Sequence, residues 1–227
     1  MSVAPLASLQ PVSIVDQVTS AVRRSILAGE LKPGSDFSIT DLAASLNVSP
    51  IPVREALQRL EAQGLILRRR ARTAIVAPIT TGELREIYEL RIDLECQTAA
   101  RAASLMTEQI LKDLKACLAT LPEFSLDSDE FWLRHYRFHR LLLSPALNPM
   151  RERILGLLWN SSERYVRLLY GELGSQLQSE EPYNSHLLLL TAAEERSGHM
   201  LQKRLAEHYE SHLKWMLKGL AASAPAF

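Results

Sequence analysis

From Ile14 to Gly29 the apolar residues Ile14, Val18, Ala21, Val22 and Ile26 return every three or four positions. That is the period of a helix with one buried face, and Gly29 is placed to end it. The turn signal "KPGS" follows at 32–35. "SITDLAASLN" then predicts a short helix, with Ser38 and Asp41 as a capping-box-like start and Asn47 at its end. "SPIPVREALQRLEAQG" predicts a third helix, with Ser49 as N-cap, Pro50 at the first helical position and Gly64 as the stop. Pro50 and Pro52 lack amide donors, so the Ser49 side chain is expected to cap Ile51. The period changes in "LILRRRARTAIVAP", which reads as a two-stranded hairpin closed by Pro78. Beyond it every apolar pattern is helical. Thr80 and Glu83 form a capping box, and helices are expected over 81–104, 107–120, 127–144, 149–172, 180–196 and 199–220.

This pattern divides the 227 residues at 78/79. The expected fold is mostly α. Residues 1–78 form a winged helix-turn-helix with a short β-hairpin wing, and residues 79–227 an all-α antiparallel helical bundle. Formal net charge is zero, but the first 78 residues hold nine basic against six acidic residues, and four of those arginines fall between 68 and 72. The excess is small and concentrated. Cys96 and Cys117 lie in different helices without metal-ligand spacing and read as reduced thiols. No run of 18 apolar residues and no signal-peptide pattern is present, so a cytoplasmic protein without a membrane span is expected.

In a winged helix-turn-helix the N-terminal end of the third helix enters the major groove. Ser49, Ile51 and Arg54 stand there, and Arg54 is placed for a bidentate contact to guanine. Arg68, Arg69, Arg70 and Arg72 suit phosphate or minor-groove contact. The bland alternative is a small domain with a solvated arginine face.

The stretch "VRRSILAGELKPGSDFSITDLAASLNVSPIPVREALQRLEAQGLI" resembles the N-terminal domain of GntR-family transcription regulators. Ile26, Gly29, Leu31, Pro33, Gly34, Leu42, Val48, Ser49, Pro52, Val53, Arg54, Glu55, Ala56, Leu57 and Gly64 carry much of the likeness. The resemblance implies DNA contact through Ser49 and Arg54, with Arg72 in the wing. Thr40 and Pro50 occupy DNA-facing positions where the family often has basic residues, and Thr73 stands where the wing usually has glycine.

"IYELRIDLECQTAARAA" and "FHRLLLSPALN" resemble the FadR-like branch of that family, which carries an FCD-type ligand-binding domain. In many such domains a helical bundle holds a divalent metal on an Asp, a His four residues later and two further His 22 apart. His139 fits the first His, His186 and His208 fit the last two, and His135 stands in place of the Asp. On a helix His135 and His139 share one face, a turn apart. Imidazole in place of carboxylate softens the ligand set and favours Zn²⁺ or Ni²⁺ over Mn²⁺ or Mg²⁺. His199 and His212 match no ligand position and read as solvated. Arg91 corresponds to an arginine that holds a carboxylate in the pocket; its bland alternative is an ion pair with Glu95 one turn on. Trp159, Asn160 and Tyr183 are candidates to shape the pocket, with Asn160 offered to the effector.

The resemblance implies a homodimer on a pseudo-palindromic double-stranded operator, responding to a small carboxylate. A regulator that senses the metal ion itself is an open alternative. A His-cage metalloenzyme is disfavoured, because "HYRFH" carries Tyr136 where the zincin motif HExxH carries its glutamate.

Overall fold

A computed structural model describes residues 13–70, 73–121, 128–173 and 181–222. Helix α1 (Ile14–Leu27) starts where Ser13 accepts a hydrogen bond from the Val15 amide. It ends at Gly29, whose φ of 75° is the left-handed conformation that glycine adopts without strain. α2 (Ile39–Ser45) is capped by the Ser38 hydroxyl, which accepts from the Thr40 and Asp41 amides. Asn47, at φ 54°, turns the chain into α3 (Pro50–Ala62). Ser49 is the N-cap of α3 by backbone conformation, but its side chain makes no capping hydrogen bond. The expected bond to Ile51 is absent, and the hydroxyl is left for other partners.

The wing departs from a simple hairpin. β2 (Ile66–Arg70) and β3 (Thr73–Val76) pair antiparallel, and β1 (Asp36–Ser38) joins the outer edge of β3, giving the order β1-β3-β2. Three residues are too few to show a strand period, so the third strand is invisible in the pattern. Val18, Val22 and Ile26 of α1, Val53, Leu57 and Leu60 of α3, and Ile66 and Val76 of the wing form one hydrophobic core.

Among the described residues the second core belongs to seven further helices. α4 (Thr81–Arg91) runs without a break through a π-helical segment (Ile92–Cys96) into α5 (Gln97–Ala103). α6 (Glu108–Ala119), α7 (Asp129–Leu143), α8 (Pro149–Leu173), α9 (Glu181–Glu194) and α10 (Gly198–Ala222) complete the bundle. Leu84, Tyr88, Phe138, Leu142, Tyr165, Leu189, Leu205 and Met216 pack at its centre. Thr80 caps α4 through the Glu83 amide, as expected. The Glu83 carboxylate turns away from the box and takes Arg164 and the Tyr165 hydroxyl instead.

α8 is also the seat of the head. Arg164 is 1% exposed and donates to the Pro78 carbonyl, so α8 grips the linker directly. A Cβ on Gly64 would stand 2.9 Å from the Ser161 hydroxyl, and one on Gly29 would stand 3.3 Å from Leu168. The two glycines that end α1 and α3 therefore both face α8 at close range.

Candidate functional site

His135 and His139 project from one face of α7, His186 comes from α9 and His208 from α10. One ring nitrogen from each lies within 4.8 Å of the other three. His139, His186 and His208 are buried and His135 is half-buried. The spacing rule for a helix brings the first pair together; the fold brings in the rest, with His186 packed edge to face on Phe138.

The protonation of the cluster follows from its partners. The Tyr209 hydroxyl has one proton and donates it to Glu95 at 2.6 Å, since a carboxylate has none to give. Its oxygen therefore accepts from His139 Nδ1, 3.2 Å away, which makes His139 the Nδ1–H tautomer with a bare Nε2. That Nε2 lies 3.2 Å from His186 Nε2. His208 Nδ1 bonds the Ser185 hydroxyl at 3.0 Å, while its Nε2 is buried with no hydrogen-bond partner among the described residues. Burial first, and then the neighbouring imidazoles, hold His135, His139 and His208 well below the ordinary histidine range. They are neutral, as ligands to a metal must be.

The donor set fits a divalent cation. Two nitrogens each about 2.1 Å from one tetrahedral ion stand roughly 3.4 Å apart, close to the His139–His186 separation. The orphaned His208 Nε2 supplies a third donor. An orienting carboxylate behind a ligand histidine is a common support for such sites, and Glu95 would play that part for His139 through Tyr209.

Arg91 lies beside the cluster, 6% exposed. Its Nε donates to Glu95 at 2.7 Å and its NH1 to Ser162 at 3.2 Å, and the guanidinium lies 4.3 Å from the centre of the Tyr209 ring. Burial alone would lower its pKa; Glu95 outweighs that, and the net shift is upward. The ion pair weighed against a pocket role is thus present, and Arg91 also lines the cavity. Glu95 lies within the π-helical segment that begins directly after Arg91. Such insertions recur at functional sites.

A cavity of about 530 Å³ opens from the cluster. Trp159 and Asn160 line it, as do His135, His139 and His208. Tyr183 is 38% exposed and is not on its wall. His212 corrects an expectation. Expected to be solvated, it lines the cavity, and its Nδ1 lies 3.0 Å from the Tyr88 hydroxyl. Burial, then Arg91, lower its pKa to about 3. One turn beyond His208, its position on the inner face of α10 was readable from the helix period. His199 is exposed.

These neutral imidazoles predict acid sensitivity. Unfolded, a histidine titrates near 6.5; folded, these do not. Their contribution to stability is complete above about pH 6.5 and declines as pH falls toward 3, because only the unfolded chain takes up the protons. His212 alone adds a slope of at most about 1.4 kcal/mol per pH unit. Urea midpoints of chelator-treated protein should fall steadily from pH 7 to pH 5. A flat profile would mean that the rings are protonated in the fold.

Of the residues expected to contact DNA, Thr40, Ser49, Ile51 and Arg54 are exposed and Pro50 is half-buried. Ile51 is 65% exposed at the start of α3. Arg69 and Arg70 lie on β2, but their side chains, and Arg72 altogether, fall outside the described residues.

Residues 14–76 match the family described as bacterial regulatory proteins, gntR family, and residues 86–211 match the FCD domain. The chain belongs to the GntR family, in the branch that carries an FCD domain, and this is a family of transcription regulators rather than enzymes. The HTH-type transcriptional repressor RspR of Escherichia coli K12 is 28% identical over 209 residues, covering 88% of this chain and 87% of its own. The transcriptional regulator McbR of the same organism is 28% identical over 213 residues, covering 90% and 96%. The solved structure of E. coli McbR/YncC matches with a TM-score of 0.74 at 25% identity, over 91% of this chain and 98% of that one. No helix of the described residues is long and apolar enough to cross a membrane.

Proposed function

We propose that this regulator responds to a small carboxylate bound in the helical cavity, with a divalent metal held on His135, His139, His186 and His208. The observation that carries this reading is the convergence of four histidines within 4.8 Å of one another, three of which, His135, His139 and His208, line one cavity with Arg91. An ion there would supply a Lewis-acid seat for a ligand carboxylate. Arg91 would take the same anion by charge-assisted hydrogen bonds, with Glu95 holding it in place. Four imidazoles and no carboxylate favour Zn²⁺ or Ni²⁺ over Mn²⁺. The cavity beside the cage favours metabolite sensing over sensing of the bare ion, which needs no such volume.

In this reading residues 1–78 bind double-stranded DNA and residues 79–227 bind the effector and dimerise, in the cytoplasm. Two copies place two α3 helices on a pseudo-palindromic operator. Met150, Ile154 and Leu157, exposed along one face of α8, offer a surface for the second copy. Thr40, Ser49, Pro50, Ile51 and Arg54 face the major groove, with Arg69, Arg70 and Arg72 toward the backbone.

Anisotropy titration of labelled DNA from upstream of the protein's own coding sequence tests the head. Wild-type binding should prefer that DNA and weaken steeply with salt. Arg54→Ala should cost about 1–3 kcal/mol and relax the preference at one base pair. Equal binding to unrelated DNA, by wild type and variant alike, would remove Arg54 from base reading.

A further inference from the structure

The cavity is not confined to the helical domain. Arg23, Arg24 and Leu27 of α1, in the DNA-binding head, form part of its wall. The inner end holds Arg91 and the histidines. The outer end is a cluster of charges: Arg23 and Arg24 from the head, Arg167 and Glu163 from α8, and Asp129 from α7. Three cations face two anions there. Between the ends the wall is aromatic, with Trp159 and Tyr136 packed edge to face at 4.9 Å. The Trp159 indole N–H is buried with no hydrogen-bond partner among the described residues.

The bonds at the outer end leave Arg23 exchangeable. Its guanidinium donates to Gln63 and Asn160, both at a long 3.3 Å, and to Glu163. Glu163 also accepts from Arg167 at 2.9 Å, and Arg167 reaches Asp129 at 2.6 Å as well. Two arginines thus share one carboxylate. An incoming anion that takes Arg23 leaves Glu163 paired with Arg167, so no acid is stranded without a partner.

We infer that the DNA-binding head supplies the outer anion site of the effector pocket through Arg23. The ligand class is an elongated dianionic carboxylate: one acid group at Arg91 and the histidine cluster, an apolar body along Trp159 and Tyr136, and a second acid group at Arg23. A volume of about 530 Å³ suits such a molecule, since pockets for drug-sized ligands run about 300–1,000 Å³. The mechanical consequence is direct. α1 packs on α3 within one hydrophobic core, so a ligand touching Arg23 acts on the helix beneath the DNA-reading helix.

This inference rests on the pocket reading above, and the test separates the two. Straight-chain α,ω-dicarboxylates and monocarboxylates of four to ten carbons are titrated calorimetrically into full-length wild type, Arg23→Gln, Glu163→Gln and His139→Ala, each first checked for folding by circular dichroism. At a fitting length the dicarboxylate should bind wild type about tenfold tighter than the monocarboxylate of equal length, the worth of one charge-assisted hydrogen bond. Arg23→Gln should erase that advantage and leave monocarboxylate affinity unchanged. Glu163→Gln, which removes the competing carboxylate, should widen it. His139→Ala should weaken both series. If monocarboxylates bind with dependence on His139, and no dicarboxylate shows an advantage that depends on Arg23, the bridge to the head is wrong and the pocket stands. If neither series binds, both fall.

Discussion

Arg91→Met should lower the stability of the protein by about 3–5 kcal/mol, the largest effect expected of any single change at the site. The reason lies in what it leaves behind. Glu95 is 0% exposed, and its carboxylate is held by Arg91 at 2.7 Å and the Tyr209 hydroxyl at 2.6 Å. Without the guanidinium a buried carboxylate keeps a single neutral partner. Arg91→Lys should recover only part of the loss, because an ammonium cannot reach Glu95 and Ser162 together with a planar fork. The double change Arg91→Met with Glu95→Met removes both charges and should be far milder than either alone. Urea unfolding of Arg91→Met, Glu95→Met, the double variant and Arg91→Lys makes the comparison. If the double variant loses as much as the sum of the single ones, the pair is not a coupled buried ion pair.

His139→Ala should abolish metal-dependent stabilisation. A ligand at a hundred times its Kd adds about 2.7 kcal/mol to the stability of the folded state. For a chain of this size that is a rise of roughly 5–10 °C in Tm. Wild type should show this rise with Zn²⁺ and lose it to chelator; the variant should show none. The metal-dependent increment is the proper readout. Removing the ring also opens a cavity and frees the Tyr209 oxygen, which lowers the baseline melting temperature by itself. Metal content of untagged protein, purified without chelator, should fall in parallel from about one ion per chain. An undiminished increment in the variant would remove His139 from the ligand set.

Much of this architecture is readable in the chain. Ser38, Thr80 and Thr107 each cap the helix that follows, and the left-handed Gly29, Asn47 and Gly64 each end one, because caps and turns are local chemistry. His135 and His139 are likewise fixed by one helix. What escapes a linear reading depends on packing at long range. The Tyr209–Glu95 bond spans 114 positions, and nothing in the local pattern marks either residue as the support of a histidine. The π-helical segment at Ile92–Cys96 has no proline, glycine or period change to announce it. Arg23 reads as an ordinary polar position on an amphipathic helix, and only the seating of the head on α8 brings it to Glu163, 140 positions away. His212 is a simpler case: it matches no ligand position, yet one turn beyond His208 its own helix period turns it inward.

The central claim is that the helical cavity and the DNA-reading helix are coupled, and one titration tests it most directly. Zn²⁺-loaded full-length protein is titrated against labelled upstream DNA, without and with a saturating dicarboxylate from the calorimetric series, and the same pair is measured for Arg23→Gln. Occupancy of the cavity should shift the wild-type DNA affinity by about 5–150-fold, the usual range of an allosteric coupling. The shift should shrink in Arg23→Gln at the same fractional occupancy. A DNA affinity that stays constant while the cavity fills would contradict the coupling, and the pocket would then be a binding site without a line to the operator.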